Sequence, residues 1–345
     1  MTIALDATYS LGRGLTGVGV YSRELLFGLC ATHPEEHFLF SYRAHRLLAS
    51  ARDRLPVNAT RAWLRGDGFW PHSADLFHGL NQRVDRVRAR RIVSTFHDLF
   101  VITGDYSTAE FRVRFTAQAR QAAERSDLIV AVSEFTAGQI ENALGVERSR
   151  IRVVHHGVTA PDYRPPIDAE RENIILHVGA VQRRKNVLRL VEAFERTPPE
   201  WRLVLAGGAG YGSEQVAARI AESPRRESIE ITGYVPDVRL EELYRRARIF
   251  AFPSLDEGFG MPILDAMARG VPVLTSNRSA TREVAGNAAL LIDPTDTESV
   301  ASGLVRIANN PALRRQLREA GLAHAAGFSW KKAVDSTWRV YGELL

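Results

Sequence analysis

The stretch RIFAFPSLDEGFGMPILDAMARGVPVLTS, residues 248–276, reads as one complete strand–loop–helix–strand unit. RIFAFPS (248–254) and VPVLTS (271–276) are short apolar runs of the kind that form strands buried on both faces. Pro262 suits the first turn of a helix over 262–269, and a Gly258-Phe259-Gly260 loop leads into it. Backbone N–H groups of such a loop and of the helix start make a seat for an anion. Glu257 and Asp265 lie eight positions apart. On a continuous helix that spacing is ~12 Å at 1.5 Å per residue. Carboxyl pairs that cleave a glycosidic bond stand ~5–9.5 Å apart. These two therefore suit opposite ends of a longer ligand with phosphate between them.

The same alternation extends in both directions. Upstream and downstream, NIILHVG (173–179), WRLVLAGG (201–208), SIEITGYV (228–235) and AALLIDP (288–294) read as strands. Helical spacing occupies 187–196, 214–222, 239–246 and 299–309. The N-terminal half repeats the pattern. Its strands are TIALDA (2–7), HFLFSY (37–42), LFHGL (76–80), RIVSTFHD (91–98), DLIVAVS (127–133) and IRVVHHGV (151–158), with helices over 19–32, 108–125 and 134–144. Between the halves, Asp162-Tyr163-Arg164-Pro165-Pro166 excludes helix and reads as a linker. The expectation is an α/β protein with two parallel-sheet domains, 1–162 and 167–326. Ligands of such sheets bind beyond the carboxyl ends of the strands, so two facing domains would hold one in the cleft between them.

Composition narrows the function classes. The chain has 345 residues, 45% apolar and 25% charged, as expected of a globular protein with material for two domains. No run approaches the ~18–20 apolar residues of a membrane-spanning helix. The opening MTIALDATYS lacks the basic start of a secretory signal. Cys30 is the single cysteine, which excludes an internal disulfide and a multi-cysteine metal site. A cytoplasmic location is expected. The net charge is +5, of which residues 1–160 carry +4 from 20 basic and 16 acidic side chains. Arg83, Arg86, Arg88, Arg90 and Arg91 form the densest knot. A solvated surface is the plain reading; an anionic membrane face or a phosphate-bearing partner is the functional one. With no aromatic-interleaved basic stretch, nucleic acid is not an expected partner.

Three further segments follow strands. In Gly14-Leu15-Thr16-Gly17-Val18-Gly19 the dinucleotide fingerprint is only partly met, because Ser22 stands where a third glycine belongs. A tight turn without a ligand is the equal alternative. His97-Asp98 closes a strand with a carboxylate beside the ring; a core histidine is its plain alternative. His155 and His156 are adjacent on a strand and point to opposite faces, which argues against a shared metal. Arg184 and Lys185 precede a helix in a chain with 42 arginines and three lysines. Cations at a helix start are unfavourable unless an anion joins them, which suits a diphosphate.

Together these residues resemble the retaining glycosyltransferases of family 4, with the GT-B fold of two facing Rossmann-like domains, over nearly the whole chain. The Glu257-Gly258-Phe259-Gly260-x-Pro262 segment carries most of the likeness. Thr16 to Gly19, His97-Asp98, residues 132–135, Arg184-Lys185-Asn186, Gly233-Tyr234-Val235, residues 283–286 and Phe328-Ser329-Trp330 support it. The resemblance implies that a last helix within 327–345 returns to the N-terminal domain. It implies that Arg184 and Lys185 hold the donor diphosphate and that Glu257 contacts the donor sugar. Gly258, Phe259 and Gly260 would offer backbone to sugar and phosphate, and Tyr234 would lie beside the base. His97 would stand near the reacting sugar, and Gly17 with Gly19 where donor and acceptor meet. Asp265 takes the place of the family's second glutamate, which binds ribose, and is one methylene shorter. No Asp-x-Asp occurs, so neither a metal nor another cofactor is expected. The implied activity moves a hexose, mannose from GDP-mannose in the first instance, onto a saccharide or lipid-linked glycan. An NAD-dependent Rossmann enzyme and a non-catalytic sugar- or nucleotide-binding protein are the competing readings.

Overall fold

All the strands pair in parallel, in two separate sheets. The computed structural model describes residues 1–12, 14–64 and 72–345. The chain divides into one unit of Met1–Gly157 with Ser329–Leu345, and another of Val158–Phe328. In the first unit the order is β1 (Thr2–Asp6), α1 (Gly17–Thr32), β2 (His37–Arg43), α2 (Ala44–Ser50), β3 (Ala59–Leu64), β4 (Ala74–Gly79) and β5 (Ala89–Phe96). There follow α3 (Phe100–Thr103), α4 (Ala109–Arg125), β6 (Leu128–Ala131), α5 (Glu134–Leu144) and β7 (Ile151–Val153). The second unit runs β8 (Glu172–Val178), α6 (Val187–Phe194), β9 (Arg202–Ala206), α7 (Ser213–Ala221), β10 (Ile229–Gly233), α8 (Asp237–Arg246) and β11 (Ala247–Phe252). It continues through α9 (Met261–Ala268), β12 (Val273–Ser276), α10 (Ser279–Ala285), β13 (Leu290–Ile292), α11 (Thr297–Ala308) and α12 (Pro311–Ala325). The last helix, α13 (Trp330–Gly342), belongs to the first unit.

The first sheet has the order β3-β2-β1-β4-β5-β6-β7 and the second β10-β9-β8-β11-β12-β13. Each reverses its direction of growth once, between β1 and β4 and between β8 and β11. Those reversals open the crevices where doubly wound sheets take ligands. Period-two alternation sorts the core residues. Ile3 and Leu5 of β1 join Leu25 and Leu29 of α1 and Val334 and Tyr341 of α13 in one layer. Ala4 faces the opposite layer with Phe77, Ala122, Ile129 and Ile140. Ser329 caps α13 by accepting from the Lys332 amide at 3.2 Å, and the Tyr341 hydroxyl bonds His78 Nδ1 at 2.6 Å.

The proline pair of the expected linker lies within the second unit. There the carbonyls of Pro165 and Pro166 accept from Arg318 at 2.9 and 3.1 Å. Buried Arg171 donates to the carbonyls of Pro166, Tyr244, Arg245, Ala247, Arg269 and Gly270, stapling this stretch to the end of α8, the start of β11 and the residues after α9. The strand β3 and the helices α2, α3, α10 and α12 are not among the elements the sequence leads one to expect. The knot at Arg83–91 is strung out, because the loop after β4 travels the length of the parallel sheet to reach β5. Arg83 pairs with Asp85 at 3.4 Å and Arg91 with Asp127 at 3.2 Å, while Arg86, Arg88 and Arg90 are exposed. Among the described residues no helix is long and apolar enough to cross a membrane.

Candidate active site

At the second unit's reversal point, β8 is followed by a short turn over Arg183–Lys185, and Asn186 then enters α6 with a left-handed φ of 59°. Asn186 Nδ2 donates to the carbonyls of Pro253 and Pro294 at 3.0 and 2.7 Å. The Leu255 amide donates to the Arg184 carbonyl at 2.8 Å, and Arg184 Nη1 to the Asp256 carbonyl at 2.6 Å. The loops after β8 and β11 are thus sewn together by backbone, and this places the charges. Glu257 lies 2.6 Å from Lys185 Nζ and 2.9 Å from Arg184 Nη1. All three are buried, at 6%, 8% and 7% exposure.

Burial alone would raise the Glu257 carboxyl, but Arg184 and Lys185 outweigh it and hold the group at about 2. The three side chains together carry one net positive charge. Lys185 Nζ also sits 4.5 Å from the centre of the Phe252 ring, a favourable place for a desolvated ammonium. Removing one partner from a buried ionic group leaves the rest uncompensated and costs ~3–5 kcal/mol. Gly260 caps the start of α9 at φ 101°, a region other residues rarely adopt, and an added Cβ would meet Ile263 Cδ1 at 3.2 Å. The buried Gly258-Phe259-Gly260 loop joins Glu257 to the start of α9, where the Ile263 amide donates to the Gly260 carbonyl at 2.9 Å.

Asp265 belongs to a different network. It lies within α9, 35% exposed at its side chain, and reaches Arg269 at 3.4 Å. Burial, and then Glu241, push its carboxyl up to about 6 against the pull of Arg269. Tyr234 is 64% exposed and follows β10, the edge strand, rather than either strand of the reversal point.

The remaining sequence-expected residues lie in the first unit. Gly17 and Gly19 stand in the first turn of α1, not in a loop ahead of it. Gly19 sits in close contact, since a Cβ there would lie 3.0 Å from the Tyr9 carbonyl oxygen. His97 follows β5 and is 7% exposed. Its Nε2 lies 2.9 Å from the Leu80 carbonyl, which can only accept, so Nε2 carries the proton and Nδ1 is the acceptor. Burial lowers His97 to about 4 despite that carbonyl, leaving the ring neutral near pH 7. It packs edge-on to Tyr21 at 4.8 Å and stacks on His156 at 5.4 Å. A chain of hydrogen bonds, Tyr21–Thr95–His78–Tyr341, runs behind it. The sequence alone does not bring His97 and His156 together, nor does it mark His78. Only their strand-end positions signalled them.

Two doubly wound parallel sheets, one with paired cations at its reversal point, define the Rossmann-like class of ligand-binding α/β proteins. Residues 16–160 match the family described as Glycosyltransferase Family 4, and residues 161–324 the one described as Glycosyl transferases group 1. The O-antigen chain mannosyltransferase B of Escherichia coli is 30% identical over 97% of this chain and 98% of that protein. Among solved structures, sucrose-phosphate synthase from Thermosynechococcus elongatus aligns with a TM-score of 0.80, covering 100% of this chain and 99% of that one at 19% identity. Anabaena HepE in complex with UDP and glucose aligns at 0.73, covering 99% of both chains at 15% identity. These last two share the fold. The chain belongs to the family 4 glycosyltransferases of the GT-B fold, and it is a glycosyltransferase. The dehydrogenase and non-catalytic readings are not favoured.

Proposed function

We propose that this glycosyltransferase moves a mannosyl group from GDP-mannose onto a hydroxyl of a saccharide or lipid-linked glycan, with retention at the anomeric carbon and without a metal. The observation that carries the reading is the buried trio Arg184, Lys185 and Glu257 at the carboxyl ends of β8 and β11. The mannosyl choice rests on the Escherichia coli relative, whose name is that of a mannosyltransferase.

Negative charge grows on the β-phosphate as the bond to the sugar breaks. Arg184, Lys185 and the N–H groups at the start of α9 meet it in a site with little water, where fixed charges act most strongly on a transition state. The paired Glu257 holds both cations in place before the donor arrives and offers its carboxylate to a sugar hydroxyl. Asp265 accepts from the ribose, and Tyr234 lies beside the base. His97, in the first unit, is a neutral ring whose Nδ1 can accept from a hydroxyl. Retention follows if the acceptor attacks from the face the phosphate leaves, with a phosphate oxygen taking the acceptor's proton.

The test is nucleotide release from GDP-mannose, UDP-glucose and UDP-galactose by the full chain. GDP released at least tenfold faster than UDP, and lost in Lys185→Ala, is the expected result. Preferential UDP release contradicts the donor; release from none contradicts the reading. For a lipid-linked acceptor, the exposed Arg86, Arg88 and Arg90 suit an anionic surface, each contributing about 1 kcal/mol near it. Equal sedimentation with neutral and anionic vesicles at low salt contradicts that part.

A further inference from the structure

Arg269 follows α9, four positions after Asp265, and stands between two carboxylates. It gives Glu241 of α8 its strongest contacts: Nε to Oε1 at 3.0 Å, Nε to Oε2 at 2.8 Å, and Nη2 to Oε2 at 2.7 Å. The Asp265 carboxylate receives only Nη1, at 3.4 Å, and the same Nη1 donates to the Asp265 backbone carbonyl at 3.1 Å. Glu241 is itself held from behind by the Tyr163 hydroxyl, which donates to it. The guanidinium of Arg269 lies 5.2 Å from the centre of the Tyr244 ring, and Arg245 covers Tyr163 at 4.7 Å. Arg269, Glu241, Tyr244, Arg245, Tyr163 and Arg171, which donates to the Arg269 carbonyl, are charged and titratable groups gathered here from the end of α9, α8 and the segment before β8.

A guanidinium has one fork of two parallel donors per edge. In this fold Glu241 takes the Nε/Nη2 edge, and Asp265 is left with a single long contact. An arginine four residues after an aspartate on a helix would ordinarily close on it. Glu257 shows the contrasting case, a carboxylate locked by two cations at 2.6 and 2.9 Å. We infer that Glu241 is a positioning residue that keeps Arg269 from capturing Asp265, so that this short carboxylate stays available to a ribose hydroxyl of the bound nucleotide. The inference rests on the ribose role proposed for Asp265. Burial raises the Asp265 carboxyl to about 6, and the long contact from Arg269 does not return it to its ordinary 3.8.

The experiment is titration calorimetry of GDP into the full chain between pH 5 and 8, for wild type, Glu241→Gln, Arg269→Gln, the double variant and Asp265→Asn. Asp265→Asn supplies the titration of the ligand's own phosphate, which is subtracted from the others. In wild type, affinity falls as pH drops through the Asp265 carboxyl. In Glu241→Gln, Arg269 turns to Asp265, the midpoint moves down by about one pH unit, and GDP binds about threefold to tenfold more weakly at pH 7. In Arg269→Gln the midpoint moves up. The double variant removes one charge of each sign and returns to within about half a unit of wild type. A merely structural role for Glu241 gives the opposite order, with the double variant the most impaired; that order, or an unmoved midpoint in Glu241→Gln, overturns the inference. If Asp265→Asn matches wild type at every pH, the ribose role fails and the inference with it. If Asp265→Asn weakens GDP binding while the two single variants keep the wild-type midpoint, the ribose role stands and the inference alone fails.

Discussion

Glu257 Oε1 stands 2.6 Å from Lys185 Nζ, and each comes from a loop that closes the reversal point of one sheet. The contact has a cost and a signature. The carboxyl is held at about 2, below its ordinary 4.5, so the folded state favours the ionised form. That contribution is fully present above about pH 4.5 and is lost as pH falls through about 2; a shift of this size corresponds to about 3 kcal/mol. We expect Glu257→Gln to lower the melting temperature at pH 7 and the gap from wild type to narrow as pH falls below about 4.5 towards 2. Calorimetric melts across that range check it, and a gap that stays constant with pH contradicts the ion-pair account.

The two carboxylates of the donor site differ in kind. Glu257 lies with the cations proposed to meet the leaving phosphate, so Glu257→Ala is expected to lower kcat by ~10²–10³. Asp265 lies in a separate network, and Asp265→Ala is expected to raise the donor KM with kcat nearly kept. Asp265→Glu, which restores the family's usual residue, should leave kcat intact. Steady-state kinetics with saturating acceptor separate these outcomes, once melts show the variants folded.

Acid should loosen the first unit well before it protonates Glu257 of the second. Burial lowers His78 to about 3 and His97 to about 4, from an ordinary 6.5. The unfolded chain therefore binds protons that the folded chain refuses. The stability these rings contribute is full above about pH 6.5 and is lost progressively as pH falls towards 4. For His97 alone the change is about 3 kcal/mol. We expect the melting temperature to fall steeply between pH 6.5 and 4, and less steeply in His97→Gln. Equal slopes contradict the buried neutral ring.

Much of the fold was legible because buried parallel strands read as apolar runs, and those runs recur on both sides of residues 162–166. β3 escaped because it is an edge strand: in ATRAWL, Thr60, Arg61 and Trp63 are exposed, and no apolar run forms. Within the site, the loop and helix around Glu257 were readable from local glycine and proline chemistry. The partner of Glu257 was not, since ion pairs between the ends of β8 and β11 depend on sheet order, which a single sequence does not display. Arg184 and Lys185 were read as awaiting a phosphate; in the fold a carboxylate already accompanies them. Arg269 lies at helical spacing from Asp265, but Glu241, which claims most of it, comes from another helix.

Metal dependence is testable on the same preparation. With Arg184 and Lys185 supplying positive charge at the diphosphate, transfer should continue in excess EDTA and rise little with Mg²⁺ or Mn²⁺. A loss beyond about tenfold, roughly 1.4 kcal/mol of barrier, contradicts the metal-free proposal.

The most direct measurement is calorimetric titration of GDP and of guanosine into the wild-type chain and into Lys185→Ala, with thermal melts alongside. We expect Lys185→Ala to weaken GDP by about tenfold or more, as loss of a charge-assisted contact of ~1.5–3 kcal/mol implies, while guanosine binds the two proteins alike. Equal GDP affinity in the folded variant would contradict the assignment of the Arg184–Lys185–Glu257 crevice to the diphosphate.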